Sequence, residues 1–234
     1  MAIGRTLPHA SEPPAPEAPA SEGPPTGRMR ALRVAAFACF LIGVLLVVTV
    51  AYGMWSGYSE QQQLNQEWQQ EASIPYNGPV GPVKVDRSLQ HPVKGIDFAI
   101  RVPKLNYFAA VREGTSTTVL YSGPGHYPGT VWPGDQGSVG VAAHNVYWIN
   151  FPMLKAGDEI DLETRYGTFR YTVTGSKIVN PDNRTVLVAD APGYHLVLTT
   201  CWPLWAGAFA TQRYIVFAEQ TYPRIVPPRQ QLIP

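Results

Sequence analysis

Cysteine is almost missing from this chain. Of its 234 residues only Cys39 and Cys201 carry a thiol. Cys39 falls inside a long apolar run and Cys201 in the part that reads as folded. The two cannot bridge within one chain, so a fold stapled by disulfides is excluded. Cys201 is therefore an inert core residue, half of an intermolecular bridge, or a nucleophile. Net charge is missing as well: 18 Lys and Arg stand against 17 Asp and Glu, a formal +1. No global field points to nucleic acid or to a strongly charged partner. GxGxxG, P-loop, CxxC, HExxH and EF-hand patterns are all absent, which removes the local signatures of nucleotide, zinc and calcium sites. No internal repeat is visible.

What the chain has in quantity is proline, 23 residues, and glycine, 21. They crowd the N-terminus and the loops, which suits an all-β domain with many turns. Met1 to Gly27 is rich in Pro, Ala, Glu and Ser and reads as disordered. Arg28, Arg30 and Arg33 follow, and then Val34 to Met54 runs 21 residues without a charge. At ~1.5 Å per residue such a run spans a hydrocarbon core of ~30 Å. Trp55 and Tyr58 fall where an aromatic belt lies. A signal peptide is the competing reading, but its apolar region is shorter, ~7–15 residues, and ends in a small-x-small cleavage site. The arginines before the run predict a cytoplasmic N-terminus with the rest of the chain outside.

Ser59 to Gln70 is polar and Gln-rich and reads as a helical continuation that stands the domain off the membrane. Pro75 to Pro92 reads as an extended linker. Short apolar or alternating runs then recur: Phe98–Val102, Ala109–Val111, Ser138–Ala143, Glu159–Glu163, Thr168–Ile178, His195–Thr200 and Arg213–Ala218. Turn signals such as Gly123-Pro124-Gly125, Pro133-Gly134-Asp135 and Pro192-Gly193 separate them. Strands at this spacing imply a sandwich or closed barrel. The expected organisation is a disordered N-terminus (1–33), an anchor (34–54), a stalk and linker (55–97), a β domain (98–219) and a proline-rich tail (220–234).

Three residues stand out as carriers of chemistry. Cys201 ends the apolar strand Leu196-Val197-Leu198-Thr199-Thr200, and Pro203 stops regular pairing just past it, so the thiol is displayed rather than buried. A thiol of pKa ~8.5 is a weak nucleophile at neutral pH and needs a neighbouring base or cation. His144 ends another apolar strand, behind small residues that let a neighbour approach, and is the candidate acid/base. A lone histidine is more often structural. Arg213 opens the strand Tyr214-Ile215-Val216-Phe217-Ala218. Its planar, permanently charged fork suits the oxyanion that forms when a thiolate attacks an amide. Most arginines in such places are merely solvated. Between Cys201 and Arg213 lie Trp202, Leu204, Trp205 and Phe209, which either pack the loop or line a groove for an extended peptide.

At this point the chain resembles the sortase family. Leu198-Thr199-Thr200-Cys201, with Arg213 heading a strand twelve residues on, is similar to the family's T-L-x-T-C…R signature. Gly123 to Thr130 and Pro133 to Gly137 resemble the stretch before the family's histidine. Ile100 to Leu105 with Glu113-Gly114 resembles its opening strands, and Phe151 to Ile160 the turn and strand after the histidine. The resemblance covers Phe98 to Glu219. It implies an eight-stranded β-barrel, cleavage of a sorting signal and acyl transfer to an amine. It maps the catalytic roles to Cys201, His144 and Arg213, and a substrate-positioning role to Thr200. Trp202, Trp205 and Asn145 are assigned to substrate contacts. The family's usual Gly-His-Arg is Ala143-His144-Asn145 here. An Asp-Pro-aromatic lid is absent from Ser59 to Gln90, and the loop after Cys201 looks most like that of classes D and E. His126 is read as structural.

The expected activity is therefore that of a membrane-anchored cysteine transpeptidase. It would act on secreted proteins that bear a C-terminal sorting motif, and pass the acyl chain to an amine on the cell wall or on another protein. No metal or organic cofactor and no nucleic acid are called for. Asp182 and Asp190 read as turn residues rather than calcium ligands. A cysteine peptidase that hydrolyses instead is the alternative among enzymes. An L,D-transpeptidase would carry a Ser-x-Gly-Cys motif with arginine close behind, which Cys201-Trp202-Pro203 lacks. A non-catalytic β-barrel binding module is the alternative from another class.

Overall fold

The computed structural model describes residues 27–71, 83–183 and 185–223. The Pro-rich N-terminus as far as residue 26, residues 72–82, which include the first part of the expected linker, and residues 224–234 of the tail lie outside the described residues. The chain separates into two compact units, dividing between Thr49 and Val50. The first contains the leading part of helix α1 (Gly27–Glu71), whose residues Gly27 to Thr49 are exposed throughout. α1 is long and apolar enough to cross a membrane, and no residue of its most apolar stretch is buried.

The second unit holds the rest of α1 and a closed barrel. Its strands are β1 (Ile96–Val102), β2 (Tyr107–Glu113), β3 (Gly125–His126), β4 (Gly137–Ala142), β5 (Glu159–Thr164), β6 (Gly167–Val179), β7 (Tyr194–Trp202) and β8 (Gln212–Tyr222), with a short helix α2 (Thr117–Ser122) before β3. Around the barrel they run β1-β2-β3-β4-β7-β8-β6-β5, and β5 closes on β1. This is the eight-stranded barrel the resemblance implies. Seven of its strands coincide with the apolar or alternating runs of the sequence. The eighth, β3, pairs through only two residues, parallel to β2 and antiparallel to β4. A two-residue strand has no period to read. Strand β8 continues to Tyr222, into the stretch whose prolines read as tail.

Pleating divides the side chains of each strand between two faces. Phe98 and Ile100 of β1, Ile160 and Leu162 of β5, and Leu196 and Leu198 of β7 belong to the main core. On the opposite face of β7, Val197 joins Val179 and Ile215 in a smaller cluster, roofed by Val186 and Leu187 from the loop before β7. Strand β7 is thus covered on both faces, which is why its sequence reads as a continuous apolar run rather than an alternation.

The polar end of α1 does not stand away from the barrel, as Ser59 to Gln70 suggested; it lies against it. Gly57, Gln61, Leu64 and Trp68 are its buried residues. Their spacing of four, three and four puts them on one helical stripe. Burial of Leu64 alone contributes roughly 2 kcal/mol. Because β3 is so short, the outer edge of β2 is left without a strand partner at Ala110. Asn65 Oδ1 accepts from Ala110 N (2.7 Å), and Gln61 Nε2 donates to Ala110 O (3.2 Å). Two side-chain amides of the helix thereby replace the missing strand and satisfy both backbone polar groups of buried Ala110. Arg112 adds an ion pair to Glu60 at 3.0 Å. Gly57 permits this approach: a Cβ there would stand 2.6 Å from the Tyr121 carbonyl oxygen.

Candidate active site

Strand β7 sits between β4, to which it is parallel, and β8, to which it is antiparallel. Cys201 is the direct cross-strand partner of Arg213. Partners in register project to the same face of a sheet, so thiol and guanidinium rise side by side from the end of the β7–β8 pair. Along β4 the register runs to Ala142 opposite Thr199. The chain stays in line for one more residue, with Ala143 N donating to Thr199 O at 3.2 Å. Two residues beyond Ala142 lies His144, and two beyond Thr199 lies Cys201. Three sequence-distant strand ends thus converge, and Cys201, His144 and Arg213 line a single cavity of about 1020 Å³.

Cys201 and His144 are both half-buried. Burial pushes the His144 imidazole below its usual value, because the charged form loses hydration there. Among the described residues no hydrogen bond joins His144 to Cys201. Arg213 Nη1 donates to the Gln212 carbonyl at 3.0 Å, which holds the guanidinium by its own strand end. The arrangement supplies a nucleophile, a group able to carry a proton, and a fixed cation around one space. That is the equipment for acyl transfer through a thioester.

The remaining assigned residues are placed differently. Asn145 lines the cavity, and its Nδ2 donates to Leu204 O, tying the turn after β4 to the turn after β7. Thr200 and Trp202 do not line the cavity. Strand alternation sends them to the face opposite Cys201. The Thr200 hydroxyl is buried without a hydrogen-bond partner among the described residues. Trp202 packs against the core, its ring 5.6 Å from that of Tyr214. Trp205 also stays outside, because the 3-10 turn Leu204–Phe209 presents Gly207 and Ala208 to the cavity instead. His126 is buried in β3, with Nδ1 2.8 Å from Asp97 Oδ2, and is not part of the site.

One wall of the cavity was not anticipated. Gly53, Tyr58, Gln61 and Asn65 of α1 line it, facing Tyr107, Tyr121 and Tyr147. Tyr121 Oη donates to the Gly53 carbonyl, and Tyr147 Oη to the Tyr121 carbonyl. Burial pushes Tyr147 up to about 12, so it remains a donor at any physiological pH. The sequence signal was the Gly53-x-x-x-Gly57 spacing, which opens one face of the helix to close packing.

The sortase-domain family model matches residues 100–221, which is more than half of the chain. Sortase D of Bacillus subtilis (strain 168) is 30% identical over 122 residues, covering 52% of this chain and 62% of that protein. The chain therefore spans less than two thirds of that relative's length. Among solved structures, a Sortase D5 transpeptidase of Clostridium perfringens superposes with a TM-score of 0.58 at 23% identity, over 69% of this chain and 98% of that one. Sortase C1 of Streptococcus agalactiae superposes with a TM-score of 0.52 at 21% identity, over 75% and 89%. At those identities the two structures speak to the fold. The family match over more than half of the chain means that this chain belongs to the sortase family.

Proposed function

We propose that this protein is a membrane-anchored transpeptidase that cuts a C-terminal sorting motif of secreted proteins and joins the acyl fragment to an amine at the cell surface. The observation that carries the reading is the cross-strand pairing of Cys201 with Arg213 beside His144 in one cavity. The Cys201 thiolate attacks the scissile carbonyl, and the oxyanion that develops is met by the Arg213 guanidinium. As the intermediate collapses the C–N bond breaks, and protonated His144 gives its proton to the leaving amine. An acyl thioester remains on Cys201. The incoming amine then attacks this thioester, neutral His144 takes its proton, and the C–S bond breaks to return the thiolate. The low pKa of His144 favours the neutral form that this second half needs. Asn145, on the cavity wall, is the substrate contact best supported by position.

Helix α1 is read as an uncleaved anchor. Arg28, Arg30 and Arg33 on its N-terminal side support a cytoplasmic N-terminus and an extracytoplasmic barrel. The test of the chemistry is intact-mass and peptide mass spectrometry of the protein purified from cells that secrete candidate substrates. An acyl adduct on Cys201 that a small primary amine discharges as an amide is expected. Discharge as the free acid alone, with amine present, would establish hydrolysis instead. No adduct and no reaction of Cys201 with a peptide-like electrophile would leave a binding module.

A further inference from the structure

We propose that the turn carrying Trp205 and Phe209 is a membrane-docking element. Both rings enter the interfacial layer of the bilayer that holds α1, and the mouth of the Cys201 cavity is thereby brought onto the lipid surface. The proposal rests on the anchor reading above.

Trp205 is 86% exposed and Phe209 88%. Two large aromatic rings held in water on one short turn mark a surface that something covers. No residue from Trp202 to Gln212 is charged, so the turn can approach hydrocarbon without stripping water from an ion. Its small residues Gly207, Ala208 and Ala210 face the cavity, whereas the aromatics between and before them do not. A peptide groove would need the opposite arrangement.

The occupant follows from the other wall of the same cavity. Gly53, Met54 and Trp55 line it, and Met54 ends the apolar run read as the anchor, with Glu60 the first charged residue beyond it. That wall therefore lies where the run leaves the hydrocarbon, at the level favoured by aromatic belts. A turn on the rim of the same cavity is within reach of this level. Its chemistry, Trp and Phe without charge, is that of interfacial insertion to a depth of ~5–10 Å.

The test uses the full chain in phosphatidylcholine vesicles whose acyl chains are brominated near the headgroup. Trp205→Phe keeps an aromatic ring but removes one emitter, so wild type minus variant isolates the Trp205 emission. That difference should lose about half its intensity in brominated lipid, as an indole at interfacial depth does. An undiminished difference overturns the proposal. A second readout compares alkylation of Cys201 by iodoacetamide linked to phosphatidylethanolamine with alkylation by soluble iodoacetamide, read on the Cys201 peptide. The lipid-to-soluble ratio should fall by about threefold or more in the Trp205→Ser, Phe209→Ser double variant, because the local concentration of lipid-borne reagent drops. An unchanged ratio, or equal changes with both reagents, overturns it. Flotation of the vesicles separates the two premises. A chain that does not float refutes the anchor, whereas a chain that floats with Trp205 unquenched refutes the docking alone.

Discussion

Cys201 on β7 and Arg213 on β8 face each other as a cross-strand pair. This relationship makes the arginine a partner of whatever charge develops at the thiol's target, and it sets the first prediction. Arg213→Ala should lower kcat by about 10²–10³, the usual loss for one oxyanion donor. KM should change far less, because the interaction forms in the transition state. Arg213→Lys keeps the charge without the planar fork and should restore part of the rate. Arg87→Ala, at a side chain 81% exposed, is the control. A kcat for Arg213→Ala within about twofold of wild type, with KM raised, would mean uniform substrate binding instead.

Burial lowers the His144 pKa in the folded state, and the sign of the pH effect follows. The unfolded chain, with a histidine pKa of ~6.5, binds a proton sooner than the folded one as pH falls. Stability is therefore fully present above that value and declines as pH drops from there toward the folded pKa. His144→Gln removes the titration, so the fall in Tm between neutral and mildly acid pH should be smaller in the variant. An identical fall in both proteins would mean that His144 titrates like a free histidine. In kcat/KM, the lower of the two apparent pKa values should lie below ~6.5.

Cys201→Ala should abolish acyl transfer while the Tm stays within a few degrees of wild type. The thiol is half-buried at the end of a strand, so little packing is lost. Transfer activity retained by the purified variant would end the assignment of the nucleophile.

Thr200 offers a test of the barrel interior beside the site. Its hydroxyl is buried without a partner among the described residues. Thr200→Val keeps the shape and removes an unsatisfied polar group, so it should stabilise by about 1 kcal/mol. Denaturant midpoints measured on both proteins would decide it, and a lower midpoint for the variant would reveal a partner for the hydroxyl.

The docked part of α1 is tested at Gly57. A methyl group there meets the Tyr121 carbonyl oxygen at 2.6 Å, and neither atom belongs to a flexible side chain. Gly57→Ala should cost about 1–3 kcal/mol as overpacking. The matching change Gly43→Ala, at a helical glycine with nothing within 4 Å, should be neutral or mildly stabilising. If both variants behaved alike by thermal denaturation, the contact between α1 and α2 would be too loose to wall the cavity.

The sequence by itself determined the features that depend on local period and run length. A span of 21 uncharged residues is long enough for a membrane whatever surrounds it. The runs at Phe98–Val102, Thr168–Ile178 and Arg213–Ala218 could be read as strands because pleating alternates side chains every two residues. Cys201, His144 and Arg213 were legible as strand ends for the same reason. That they meet was decided by the tertiary structure, through the parallel pairing of β4 with β7 and the antiparallel pairing of β7 with β8. Tertiary structure also decided the faces of Thr200 and Trp202. Strand β7 is apolar on both sides, so its composition does not say which side is the interior. The placement of Gln61 and Asn65 lay furthest from the sequence. Two polar residues on a Gln-rich helix read as solvated until the shortness of β3 leaves the Ala110 peptide open beside them. A buried peptide group must find a hydrogen-bond partner wherever the chain brings one near, and that nearness belongs to the fold alone.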